Sequence, residues 1–148
     1  MKKQIALLMT ACILTLSVSF ANGNDEIPSG INANFTRHFG EAKNVNWEKI
    51  DSYYKASFDL NGTELFAFYT QDADFIGIAH YLTSDRLPLM LQADLKMNYK
   101  GYWITDLFEY SVNQEPGYSV TLENADQKIT LKSDNLSNWD FYKNIKKN

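Results

Sequence analysis

The chain has 148 residues, 45% of them hydrophobic and 14% aromatic, with a formal net charge of −4. That length suffices for one compact domain or two small fused units and is too short for a large enzyme with a separate cofactor domain. The acidic balance repels phosphate backbones and no basic stripe interleaved with aromatics appears, so nucleic acid is excluded as a partner.

The chain opens with "MKKQIALLMTACILTLSVSFANGND": two lysines, an apolar run, then small residues before Ala21. This reads as a signal peptide over residues 1–21, and the rival reading, a membrane anchor, lacks both the length and the stop-transfer charges. Cys12 is the only cysteine, and "LMTAC" faintly resembles the lipid-attachment box of bacterial lipoproteins. Lipidation needs a polar stretch after the cysteine, whereas "ILTLSVSF" continues the apolar run. Cleavage near Ala21 leaves no thiol, hence no disulfide, cysteine nucleophile or thiolate metal site. The expected location is periplasmic or secreted, with no membrane partner after signal cleavage.

Two helical stripes follow, each opened by a proline. Ile27-Pro28 precedes Ile31, Phe35, Phe39 and Gly40, and Leu87-Pro88 precedes Leu91, Leu95, Tyr99 and Gly101. The spacing predicts two helices with proline in the first turn and a left-handed glycine cap. After each comes an extended segment and a hairpin. "YYKASFDLNGTELFAF" aligns without a gap on "GYSVTLENADQKITLK", and "DFIGIAHYL" and "NWDFYKNI" supply a last strand to each copy. The predicted class is α+β, two tandem repeats of one helix and a four-stranded antiparallel meander, with units at 22–83 and 84–148.

The first hairpin fixes its own register. A two-residue Asn61-Gly62 turn pairs Leu60 with Thr63, Phe58 with Leu65, Ala56 with Ala67 and Tyr54 with Tyr69. A turn at Asp51-Ser52 adds Val45 and Trp47 to that face, and the small Ala56 and Ala67 leave room for a helix carrying Phe35 and Phe39. In the second copy Phe108, Tyr110 and Val112 are placed on the core face, which leaves Trp103 pointing away unless a bulge intervenes.

The pattern Ile27-Pro28, Phe35, Phe39, Ala42, "NVNW", "YYKASFDLNGTE" and the acidic turn Asp72-Ala73-Asp74 resembles the PepSY-like family of exported proteins, described as β-lactamase-inhibitor-like and found mostly in Bacteroidetes. The second unit departs from the pattern with "KGYWI" for "AKNVNW" and "ENADQK" for "DLNGTE". The resemblance implies a periplasmic or secreted helix-plus-sheet domain with no catalytic motif.

Catalysis finds no support in the residues. His38 and His80 stand in separate segments, without the G-x-S-x-G elbow or H-E-x-x-H spacing. Asp72 and Asp74 read as turn residues. Asp106 and Glu109 remain a carboxylate pair of unknown separation. No enzyme activity, cofactor or metal is expected. The chemistry-bearing feature is a surplus of aromatics on the second face of the first hairpin. Phe66, Phe68, Tyr53 and Ile50, rimmed by Lys55, Asp59 and Glu64, have the make-up of a partner-binding surface, where the second copy has Thr130 and Lys132 in place of the two phenylalanines. The expected function is an exported non-catalytic binding or inhibitor-like module that uses this open sheet face to contact an envelope or secreted protein. Alternatives are a carrier of a small hydrophobic ligand or peptide, homodimerisation through the same patch, or coverage of the patch by the second unit or by Trp139, Phe141 and Tyr142.

Overall fold

The computed structural model describes residues 27–147, so the leader at 1–21 and Cys12 lie outside the described residues. The chain divides between His80 and Tyr81 into two compact units. In the first, helix α1 (Ser29–His38) is followed by strands β1 (Lys43–Ile50), β2 (Tyr53–Leu60), β3 (Thr63–Thr70) and β4 (Phe75–Tyr81). In the second, a short 3-10 turn (Ser84–Arg86) leads into helix α2 (Leu89–Asn98). Strands β5 (Trp103–Val112), β6 (Glu115–Glu123), β7 (Gln127–Ser133) and β8 (Asp140–Lys146) complete it.

All eight strands belong to one antiparallel sheet, ordered β1-β2-β3-β4-β5-β6-β7-β8. This corrects the expected fold class: the described residues form a single eight-stranded sheet with two ten-residue helices, strands making up about half of them, and not an α+β pair of tandem helix-plus-meander repeats. A physical reason lies in β4. Its run Phe75-Ile76-Gly77-Ile78-Ala79 contains no charge and no proline, the devices that blunt an exposed edge, so it has the composition of an interior strand.

In the first unit the hairpin register is the one the turn residues dictate: Leu60↔Thr63, Phe58↔Leu65, Ala56↔Ala67 and Tyr54↔Tyr69. Asn61 and Gly62 both take positive φ, 52° and 79°, as a turn matching the right-handed twist requires. Ala56 and Ala67 let α1 approach, and Phe35 fills the space with edge contacts to Phe58 (centroids 5.0 Å apart) and Trp47 (5.2 Å). Trp47 pairs with Ala56 as expected, but Val45 is exposed because the ladder is irregular between Lys43 and Asn46. The helix cap also differs from expectation. Pro28 is the N-cap, its carbonyl accepting from the Ile31 and Asn32 amides (2.9 and 3.2 Å), and the helix ends at a Phe39 cap with Gly40 outside the left-handed region. Asn34 Nδ2 donates to the Ala73 carbonyl (2.7 Å) and ties α1 to the β3–β4 turn.

In the second unit Leu91 and Leu95 of α2 pack on Val120, Leu122, Ile129 and Leu131. Trp139, just before β8, joins this core, donating Nε1–H to the Leu91 carbonyl (3.0 Å) and its amide to Asp94 Oδ2 (3.2 Å). The β5–β6 turn is Asn113-Gln114, at φ 54° and 66°, and Pro116-Gly117 follow it. Both of those residues lie inside β6, which pairs with β7 only from Tyr118 onward, so the missing amide of Pro116 breaks no ladder bond to β7.

Candidate binding surface

The first candidate is the face of the first unit turned away from α1. Register places Ser57, Phe66 and Ala79 in one row and Lys55, Phe68 and Gly77 in the next, with Ile50 paired to Tyr53. The predicted residues Ile50, Tyr53, Lys55, Phe66 and Phe68 therefore share a face, as alternation requires. Their exposure is what the sequence left open between an outward patch and a covered one. Tyr53, Lys55 and Phe66 are 4% exposed and Phe68 is 1% exposed, with Ile50 half-buried, so the face is a buried layer and not an open patch. Gly77 and Ala79 leave room beside the two phenylalanines, and Tyr53 contacts the Phe68 ring at 6.4 Å. A buried ammonium needs a counter-charge. Lys55 finds it in Glu48 and also stands 5.8 Å from the Phe66 ring centroid. Trp139, expected as a cover for this face, sits instead in the core beneath α2, and Phe141 is exposed.

The second candidate is one that sequence reasoning missed. Across the second unit, on the face turned away from α2, Trp103 pairs with Glu123, Glu123 with Lys128, and Lys128 with Ile145. Trp103 is 52% exposed and Ile145 50%, the two ends of a row whose middle is charged. Those charges are matched. Lys147 Nζ lies 2.5 Å from Glu123 Oε1 and 5.3 Å from the Trp103 ring centroid, while Lys128 Nζ lies within 3.9 Å of both Glu123 and Asp106. The Lys147 hydrogen bond holds the Glu123 carboxyl below its ordinary range. A bulge between Ile104 and Asp106 brings Trp103 to the face shared by Phe108 and Tyr110. That face is opposite the core formed by Leu107, Val120 and Leu122, so the expected core placement of Phe108, Tyr110 and Val112 is corrected. The one signal in the sequence was the odd parity of Trp103 relative to Phe108.

Deeper on the same face, Lys132 Nζ stands 4.0 Å from the Tyr142 ring centroid, and burial lowers its pKa to about 8 against the pull of Asp134. Tyr110 donates to Asp134 Oδ1 (2.6 Å).

The chemistry considered from sequence does not assemble. Asp106 pairs with Thr121 on the outer face, whereas Glu109 pairs with Tyr118 on the core side and accepts from its hydroxyl (3.3 Å), so the two carboxylates diverge. Asp74 serves the turn, its amide donating to Thr70 Oγ1 (3.1 Å). His38 is exposed against Phe75 (5.4 Å) and His80 is half-buried in β4. Among the described residues no three His, Cys, Asp or Glu side chains converge as metal ligands. An open groove of about 560 Å³ lies between Gly40–Lys43 and the β2–β3 turn, lined also by Asp59, Asn61 and Gly62. Its open shape and its place at a loop end, with Glu41, Lys43 and Asp59 in its wall, differ from the enclosed apolar cavity between helix and sheet that a hydrophobic ligand would require.

No family model matches the chain, and no curated protein matches it. Solved structures do. A DUF2874 family protein from Bacteroides uniformis superposes with a TM-score of 0.70 at 17% identity, covering 80% of this chain and 88% of that one. A protein from Bacteroides eggerthii assigned provisionally to the periplasm gives 0.68 at 14% identity, covering 80% and 88%. A BLIP-like protein from Bacteroides fragilis gives 0.68 at 18% identity, covering 80% and 86%. At these identities the likeness is one of fold, and the fold of this chain is BLIP-like.

Proposed function

We propose that the chain is an exported, non-catalytic binding module, inhibitor-like and of the PepSY-like kind, that holds a partner protein against sheet surface turned away from its helices. The observation that carries this reading is Trp103. Its half-exposed indole and Ile145 bracket a set of charges that neutralise one another, which is the arrangement of an aromatic anchor inside a polar rim. Such a surface can bury its tryptophan without stranding an unpaired charge. In this reading the half-buried Ile50 is the first unit's partner-contacting residue, and Phe66, Phe68, Tyr53 and Lys55 form the buried layer that supports it. The BLIP-like and periplasmic neighbours agree with an exported, inhibitor-like role.

The test is quantitative capture from a bacterial envelope extract on immobilised protein, wild type beside Trp103→Ser. The variant should keep its urea midpoint, because the indole is a surface group. Its affinity for the captured partner should fall about thirtyfold or more, as for a hot-spot residue worth 2 kcal/mol. Equal capture by both proteins would sink the reading.

A further inference from the structure

We propose that α2 rests on an anionic lipid surface through its outward face. Leu91 and Leu95 turn inward, and Leu89, Ala93 and Met97 then recur every fourth residue on the opposite side, with Met90 beside them. Leu89 is 80% exposed, Met90 62% and Met97 70%. The fold does not require this stripe. Both helices are ten residues long and start after a proline N-cap, and the matching positions of α1 are Ser29, Gly30, Ala33 and Arg37. An apolar ridge kept on a helix whose counterpart does without one points to a contact outside the fold.

Charge names the occupant. Lys96 flanks the stripe, Lys100 follows it one turn on and Arg86 precedes it, and among the described residues none of the three joins an ion pair. The acid beside the stripe is engaged: Asp94 accepts from Asn98 and from the Trp139 amide. Asp85, outside the helix, is held low by hydrogen bonds from Thr83 and its own backbone and by the charge of Arg86, which leaves Lys96 and Lys100 as the cations that carry the attraction. A convex apolar ridge with cationic flanks matches a plane of anionic headgroups, its Leu and Met side chains entering the interface while the ammonium groups reach phosphates. A second copy fits less well. In an antiparallel pair of α2 helices centred on Ala93, Leu89 would meet Met97 but Arg86 would meet Lys100. No helix among the described residues is long and apolar enough to cross a membrane, and the proposed contact, along the side of α2, departs from the expectation of no membrane partner.

The exposed methionines supply the readout. The full chain is treated with peroxide alone, with phosphatidylcholine vesicles, and with phosphatidylcholine vesicles containing phosphatidylglycerol, and sulfoxide at Met90 and Met97 is followed by peptide mass spectrometry. Anionic vesicles should slow oxidation of both methionines severalfold, phosphatidylcholine alone should not, and Lys96→Gln with Lys100→Gln should weaken the protection about fivefold per charge removed. Oxidation unaffected by anionic vesicles overturns the proposal. So does protection equally strong on phosphatidylcholine, or protection without vesicles that grows with chain concentration, which would identify a second copy as the cover.

Discussion

The hydroxyl of Tyr69 is buried without a hydrogen-bond partner, its ring set between Trp47 (6.0 Å) and Phe75 (5.4 Å). Burial raises its pKa to about 12. An unsatisfied buried hydroxyl costs about 1–3 kcal/mol, so Tyr69→Phe, which keeps the ring, should raise stability by about 1 kcal/mol in urea unfolding. It should also remove a pH effect. The unfolded phenol ionises near 10 and the folded one near 12, so stability from this group is lost as pH rises through that window. Lys132 has the opposite sign. Its folded pKa of about 8 lies below the ordinary 10.5, so between these values the unfolded chain binds more protons and stability rises with pH. Half-exposure and the Tyr142 ring both limit the effect, to about 1 kcal/mol after discounting for solvent screening. Lys132→Met should flatten the rise between pH 8 and 10, measured as urea midpoints across that range. Phe58 shows the other extreme. Wedged between Phe35 (5.0 Å) and Phe39 (4.9 Å) and nearly fully buried, it should cost about 3–5 kcal/mol when changed to alanine.

At the scale of elements, the two hairpins differ in how their aromatics are seated. In β2–β3, Asn61-Gly62 sets the register and small alanines admit the helix, which is why Leu60, Phe58, Ala56 and Tyr54 found their partners from sequence alone. In β5–β6 the seating residue is Gly117, opposite Tyr110, where an added Cβ would come within 2.4 Å of the phenol ring. The tyrosine lies across the glycine and reaches Asp134 from there. Gly117→Ala must expel the ring and lose that hydrogen bond, and a drop of about 2–3 kcal/mol in urea unfolding is expected, whereas Tyr110→Phe should lose only about 1 kcal/mol. The same hairpin shows where pattern reading stops. A bulge near Thr105 shifts parity by one, so residues counted from Phe108 toward Trp103 change face without any change in composition.

At the scale of the whole molecule, β1 and β8 end the strand order. The strand β8 is mostly exposed and carries Lys143 and Lys146, whose charges discourage pairing with another chain. Lys143→Val with Lys146→Val should increase the fraction of fast-sedimenting species in sedimentation velocity. Alternation told which face Phe66 and Phe68 occupy, but periodicity carries no information on how closely a face is covered, so their burial was not legible. Sheet continuity was hidden for a related reason. The uncharged run of β4 fits a strand buried within a sheet, yet an apolar strand also satisfies a small self-contained meander, and only the pairing distinguishes them.

The three tryptophans occupy three different settings: Trp47 half-buried against the first unit's core, Trp139 hydrogen-bonded in the second's, and Trp103 half-exposed beneath Lys147. The chain thus carries its own set of fluorescent reporters. Iodide, drawn by the neighbouring ammonium, should quench Trp103 first and more strongly than neutral acrylamide of equal reach would. Emission from the other two indoles then separates the loosening of one unit from that of the other, so partner docking and unfolding can be followed in a single unlabelled sample.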